Sequence, residues 1–282
     1  METILATHES FQDKGHAKHF DARYRLNLRG LKKEYESFNE FQLLCKYKSH
    51  INGKNFLDFG CATGEMYRYL QHYHSDLKYF GLDISIPAIQ RAKDKYPMGN
   101  FIVISEDIKI SKQVEKLKFR PDILFSRDVV LHQAQPFEFL KELVGISNSA
   151  LILRLRTRDK GKTVLDPELS AQYYCGKWAP YMILNIHELI DVIRSCTNID
   201  TLHILKNYVV LGGCHGRYLD KECFYSETGT AETAVFLKKS ELAVVNPRIE
   251  ISHNEEKAIY SGILNKKPYY ALKALQQRIL PQ

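Results

Sequence analysis

The stretch that decides the fold is Asn55-Phe-Leu-Asp-Phe-Gly-Cys-Ala-Thr-Gly-Glu-Met66. It joins a short apolar run, a glycine-rich turn and the start of a helical pattern that continues from Glu65 to Tyr73. Gly60 and Gly64 permit backbone conformations and close approaches that a side chain would block. The spacing is Asp-x-Gly-x-x-x-Gly. A dinucleotide fingerprint would read Gly-x-Gly-x-x-Gly, and a phosphate loop would add Lys followed by Ser or Thr. This turn has neither, so nothing in it is arranged to cradle a pyrophosphate.

Outward from the turn, strand and helix patterns alternate. Lys78 to Asp83 reads as a second strand, and Ser85 suits a helix N-cap with Pro87 inside the first turn. Phe101 to Ile104 is a third strand and Asp122 to Ser126 a fourth. Pro136 opens a helix with Phe137, Leu140 and Val144 on one face, and Ala150 to Leu153 starts a fifth strand. Strands separated by helices of this length predict an α/β fold: a doubly wound, mostly parallel sheet covered on both faces. Upstream, Leu31, Tyr35, Phe38, Phe41 and Cys45 recur at helical spacing, and residues 1–52 read as an N-terminal helical lid.

The main domain is expected over residues 53–239. Its segment 159–184 breaks the alternation, with Tyr173, Tyr174, Trp178 and Tyr181 and no clear period. Such an insertion either walls an acceptor pocket or fills a secondary core. Asn185-Ile-His-Glu188 has the spacing of a capping box and opens a helix striped by Ile186, Leu189, Ile190 and Ile193. Further strands are expected at 201–205, 208–211 and 234–237. Residues 240–282 read as a C-terminal appendage, with a strand-like Leu242 to Val245 and a basic amphipathic helix.

A chain of 282 residues makes one large domain or one domain with extensions. A hydrophobic share of 44% and a charged share of 26% exclude a disordered or fibrous chain. No apolar run approaches the roughly 20 residues of a membrane span, and the N-terminus lacks the apolar segment of a secretion signal. Six cysteines in this length predict no disulfide framework and a reducing, cytoplasmic setting. With 40 basic and 33 acidic residues the net charge is +7, spread without a basic block. Nucleic-acid binders usually concentrate such an excess in one face or block, and an anionic small molecule is equally compatible, so charge alone decides nothing. A small-molecule acceptor is the expected partner and nucleic acid is not. Cys214-His215 with Cys223 and His203 invites a zinc reading, but without a Cys-x-x-Cys pair buried thiols fit better, so no metal is expected.

The glycine turn and the segments after it resemble the class I S-adenosylmethionine-dependent methyltransferases. The family's first motif has this form, with its middle glycine here replaced by Ala62. The resemblance continues in register through Asp83 in Tyr-Phe-Gly-Leu-Asp-Ile-Ser, Asp107 in Ile-Ser-Glu-Asp-Ile, and Ser126-Arg-Asp-Val-Val-Leu-His132. It covers residues 55 to about 157 well. It implies a Rossmann-like fold and S-adenosylmethionine as cofactor. By the same implication Asp83 takes the ribose diol, and Asp107 the adenine amine, with Ile84 and Ile108 on the ring faces. Asp58 orients the turn near the amino-acid end, while Gly60, Cys61, Ala62, Gly64 and Ser126 face the methionine portion.

For the acceptor, His132 past the fourth strand is either the base that takes a proton or a residue packed on the next helix. Asp128 and Tyr173 are alternatives for the base. Arg154, Arg156 and Arg158 alternate onto one face of the fifth strand, beside Arg127 on the fourth. Charges on a central strand need partners. Arg127, Arg156 and Arg158, with Tyr174 and Trp178, form either an anion site for the acceptor or, for the arginines, salt bridges to Asp128, Asp159 or Asp166. The expected activity is methyl transfer to oxygen or nitrogen of a small molecule, anionic or neutral: a sugar, nucleotide-linked or natural-product intermediate. The competing readings are an RNA or protein methyltransferase and a non-catalytic cofactor-binding protein. A homodimer stays open.

Overall fold

In the computed structural model, residues 36–74, 76–105, 109–174, 177–209, 211, 217–219 and 229–254 are described. The readings at Leu31, Tyr35, Asp107, Ile108, Cys214, His215, Cys223 and residues 255–282 lie outside the described residues, as do the side chains of Tyr173 and Tyr174.

The chain enters through α1 (Asn39–Lys46) and α2 (Lys48–Ile51). It then alternates β1 (Asn55–Phe59), α3 (Glu65–Tyr73), β2 (Lys78–Asp83), α4 (Ile86–Lys95), β3 (Asn100–Val103) and α5 (Ile110–Lys116). Next come β4 (Ile123–Arg127), a 3-10 turn (Val130–His132), α6 (Pro136–Ile146) and β5 (Ala150–Arg158). Then come β6 (Ser170–Tyr174), β7 (Lys177–Pro180), β8 (Leu184–Asn185), α7 (Ile186–Cys196) and β9 (Ile199–Tyr208). The described elements end with β10 (Arg217–Leu219), β11 (Ala231–Lys239) and β12 (Arg248–His253).

The main sheet runs β12-β9-β11-β5-β4-β1-β2-β3, with β8 beside β5. β11 is antiparallel to both β5 and β9, and the remaining pairings are parallel. The chain winds outward from β1 through β2 to β3, then crosses back to β4. The strand order therefore reverses between β1 and β4, the place where such sheets open a ligand crevice at their carboxyl ends.

Both faces are covered, as the doubly wound reading expects. Leu151, Leu153 and Leu155 of β5 pack with Leu140, Leu143 and Val144 of α6 and Leu189 and Ile193 of α7. Ala150 and Ile152 pack on the other side with Phe41 and Leu44 of α1 and Met66, Tyr69 and Leu70 of α3. Arg154, Arg156 and Arg158 continue the second face by the period-two alternation of a strand. The helix starts obey their local chemistry. The Ser85 hydroxyl accepts from Ala88 N at 3.3 Å, and Pro136 stands at the first turn of α6. Asn185 caps α7 by accepting from His187 N at 2.8 Å and Glu188 N at 3.1 Å. Glu188 does not reach back to complete the box; its carboxylate takes Thr163 instead.

Several expectations need correcting. The helix stripe is off phase: Phe38 is extended before α1, Phe41 and Leu44 are buried, and Cys45 is exposed. The described part of the expected lid, residues 36–52, is a layer packed on the sheet. Residues 199–208 form one strand in place of two pieces, because the interrupting Lys206 is buried with Asp159 and Tyr208 as partners. The strand-like 242–245 is not a strand, and Leu242 and Val245 are exposed. β12 joins the main sheet a few residues later, in parallel with β9. Within 159–184, β6 and β7 form a hairpin extended by β10. Its neighbourhood has a small core of its own with Leu131, Val164, Tyr181 and Ile183. Among the described residues no helix is long and apolar enough to cross a membrane.

Candidate active site

The glycine turn is held by β2. Gly60 N and Cys61 N both donate to Leu82 O, at 2.8 and 3.0 Å, and Gly64 N closes the turn on Cys61 O at 3.0 Å. Gly60 has φ +82°, and a Cβ there would lie 2.3 Å from Val129 Cγ2, so two independent constraints require glycine. Ala62 keeps φ +47° although it carries a side chain. The turn thus retains a left-handed backbone where the family's glycine is missing.

Asp83 closes the arrangement. One carboxylate oxygen accepts from Ala62 N at 2.8 Å and the other from Ser85 N at 2.8 Å, so this buried side chain pins the turn to the end of β2. Asp58 lies one strand away, fully buried, and accepts from Tyr79 OH at 2.6 Å. Burial pushes the Asp58 carboxyl up to about 7; Asp83 raises it further, while the Tyr79 bond and Arg127 oppose. Burial also raises Asp83, against the backbone bonds it accepts.

These observations test whether S-adenosylmethionine fits. Two desolvated carboxylates near one another lack positive charge, which a sulfonium with an ammonium supplies. At the end of β4 the Ser126 hydroxyl is buried and without a hydrogen-bond partner among the described residues. It sits in register with Phe59, the residue before the turn, and a polar ligand group would satisfy it. The group therefore fits at its methionine end and at Asp83. Ile84 is partly buried against the core beside Asp83.

The acceptor side differs from the expectation. Asp128, in the left-handed region at φ +58°, accepts from Arg154 Nη1 at 2.5 Å and Arg156 Nη1 at 3.0 Å. Glu232 at the start of β11 pairs with the same two guanidinium groups, at 2.8 and 3.0 Å. Two arginines and two carboxylates form a closed ring. Around it, Glu40, wholly buried, pairs with Arg127 Nε at 2.8 Å and Arg154 Nε at 3.6 Å. Burial favours a neutral Asp128, but Arg154, Arg156 and Arg127 outweigh it and hold its carboxyl well below the usual range. Paired in this way Asp128 is a weak base, which speaks against it as the alternative proton acceptor.

The salt-bridge alternative thus describes Arg156, with Asp128 as the foreseen partner and Glu232 as an unforeseen one, while Arg127 takes the unforeseen Glu40. Asp159 instead pairs with Lys206 and Tyr208, and Asp166 accepts from Glu168 N at 2.8 Å. Arg158 does not converge with Arg156; its Nη1 donates to Lys162 O at 3.3 Å on the following loop. Arg127 turns toward the N-terminal helix, its guanidinium 4.5 Å from the Phe38 ring centre. Trp178 stands opposite Tyr173 in the β6–β7 register.

His132 ends the 3-10 turn after β4. Its Nδ1 lies 2.7 Å from Pro180 O, which can only accept, so Nδ1 carries a proton and Nε2 is the nitrogen that titrates. His203 serves structure: its Nε2 meets Ser252 Oγ at 2.9 Å and its Nδ1 meets Tyr47 OH at 3.2 Å. Val129, Glu40 and Glu232 escaped the sequence reading. The signal for Glu232 was a lone acidic residue in the alternating strand Ala231-Glu-Thr-Ala-Val235. Glu40 and Val129 carried none.

With this geometry in place, the likeness to known proteins is specific. Residues 57–149 match the family model described as a methyltransferase domain. The matched segment runs from β1 to the residue before β5, and its α/β fold is the Rossmann-like one of methyltransferase domains. It is 28% identical over 156 residues to the tRNA U34 carboxymethyltransferase of Campylobacter lari, a match covering 51% of this chain and 50% of that protein. The chain thus spans about half the length of the curated relative it matches. In fold it is similar to phosphoethanolamine N-methyltransferase 2 of Haemonchus contortus, with TM-score 0.52, 11% identity, and coverage of 82% of this chain and 60% of that one. It is also similar to the N-terminal domain of EvdMO1, solved with S-adenosylhomocysteine, with TM-score 0.50, 9% identity, and coverage of 83% and 100%.

Proposed function

We propose that this chain transfers the methyl group of S-adenosylmethionine to an oxygen or nitrogen of a small molecule. The observation that carries this reading is the Asp83 carboxylate, which holds the left-handed turn at Ala62 beside the strand-order reversal. Asp83 keeps lone pairs for a ribose diol, and Asp58 supplies charge for the ammonium group. Ser126 takes a polar atom of the amino-acid portion. When bound, the cofactor supplies an activated methyl carbon, and the protein's main task is to position the acceptor in line with it. Where the acceptor atom carries a proton, His132 Nε2 takes it, its ring oriented by Pro180 O.

Calorimetric titration with S-adenosylhomocysteine tests the reading. Micromolar binding that falls with Asp83→Ala supports it. No heat with the wild type, together with an Asp83→Ala variant that folds and behaves identically, defeats it. A mass-shift screen of acceptors with S-adenosylmethionine then reads the transfer. The match to the tRNA carboxymethyltransferase favours a second reading, modification of an RNA base. That reading requires RNA binding with a steep salt dependence, and RNA binding that ignores salt removes it.

A further inference from the structure

Beside the arginine ring lies a cavity of about 220 Å³. It is lined by Phe38 and Asn39 at the start of α1, Arg154 of β5, Asn207 of β9, and Glu232 and Thr233 of β11, with Ser37. A cavity of roughly 150 Å³ holds a benzene ring, so this one admits a six-membered ring with substituents. Every lining residue other than Phe38 is polar or charged, and an apolar ring would strand those groups.

Hydrogen-bond accounting sets the polarity of the occupant. Asn39 Nδ2 donates to Leu205 O at 3.2 Å and Glu232 O at 3.1 Å, and Asn39 Oδ1 accepts from Asn254 Nδ2 at 2.9 Å. The Arg154 guanidinium is engaged by Asp128, Glu232 and Glu40. Asn207 Oδ1, by contrast, is buried with no hydrogen-bond partner among the described residues. Glu232 accepts one arginine bond on each oxygen and keeps further lone pairs. Asn207 Oδ1 and Glu232 thus call for a ligand that brings hydrogen-bond donors, as hydroxyl groups do.

The charge agrees. Arg127, Arg154 and Arg156 are matched by Glu40, Asp128 and Glu232, so the cluster recruits neither an anion nor a cation. Arg154, which lines the cavity, bonds Asp128 just past β4, so the cavity lies against the strand next to the reversal of strand order. We infer that this cavity receives a neutral, polyhydroxylated six-membered ring of the acceptor, a pyranose or cyclitol, with Asn207 Oδ1 accepting from one of its hydroxyls. This rests on the methyltransferase reading above. It replaces the anionic acceptor suggested by the arginines in the sequence.

Saturation-transfer NMR on the full chain with S-adenosylhomocysteine tests it, using methyl α-D-glucopyranoside and its anionic counterpart D-glucuronate. The glucoside binds more tightly than glucuronate, and Asn207→Leu weakens it about fivefold, the loss of one neutral hydrogen bond. Asn207→Asp keeps an acceptor oxygen and retains the glucoside, which separates this role from a merely structural one. Neither variant changes affinity for S-adenosylhomocysteine. Glucuronate binding as tightly as the glucoside, an Asn207→Leu variant indifferent to both, or no glucoside signal while the nucleoside binds overturns the inference. Failure of wild type to bind the nucleoside brings down the methyltransferase reading instead.

Discussion

Asp58 and Asp128 stand on neighbouring strands at the same crevice, yet their surroundings are opposite. Asp58 is buried with a tyrosine hydroxyl as its hydrogen-bond partner and a second carboxylate nearby, and its carboxyl is pushed up to about 7. Asp128 is gripped by two guanidinium groups and held well below the ordinary range. One end of the crevice lacks positive charge and is ready for a cationic cofactor. The other end is neutral by internal pairing, in keeping with the uncharged acceptor proposed above. A carboxylate in a site therefore says little until its partners are counted.

The largest expected effect tests the closed ring. Asp128→Asn leaves two arginines sharing Glu232, and the folded state loses about 3 kcal/mol in a denaturant titration. Partial exposure of the Asp128 and Glu232 side chains, 30% and 28%, keeps this below the cost of a fully buried pair. A loss near zero would mean that the ring does not hold β4, β5 and β11 together. Next, Asp83→Ala weakens S-adenosylhomocysteine binding about a hundredfold, because the turn loses its peg as well as a diol acceptor. Calorimetry reads this directly, and an unchanged affinity would place the cofactor elsewhere.

The third effect is pH-dependent. A bound cation favours ionised Asp58, so below about 7 binding must expel a proton, and affinity falls by up to tenfold per pH unit. For the apoprotein the sign is the reverse. The folded value lies above the unfolded one, so this group's stability contribution is complete below about 4 and is lost as pH rises through about 7. Asp58→Asn flattens both profiles, and calorimetry with thermal melts across that range checks them. The smallest effect is at Ala62, where φ is +47°. Ala62→Gly relieves the left-handed strain and stabilises the fold by about 1 kcal/mol or less. A destabilised variant would show that the methyl group packs usefully.

Much of the cofactor end was legible because it is local. The strand, the turn from Gly60 to Gly64 and the helix after it are consecutive, and Asp83 comes at a strand end marked by Gly81. The α/β alternation was equally open to reading, since each strand and helix announces itself by its own period. The acceptor end was not legible in the same way. Arg127 and Arg156 looked like part of an anion site because their neutralising partners, Glu40 and Glu232, stand more than seventy positions away. The hairpin within 159–184 was equally hidden, because its small core draws residues from several separated segments.

The sequence by itself determined the strand–helix alternation, the glycine turn and the two carboxylates of β1 and β2, because backbone conformation and period are properties of neighbouring residues. Only the tertiary structure decided which charges cancel, which hydroxyl and amide oxygen stay unsatisfied, and that β12 completes the sheet. Those depend on distances between segments far apart in the chain, and electrostatic and hydrogen-bond energies track distance and burial, not order along the polymer.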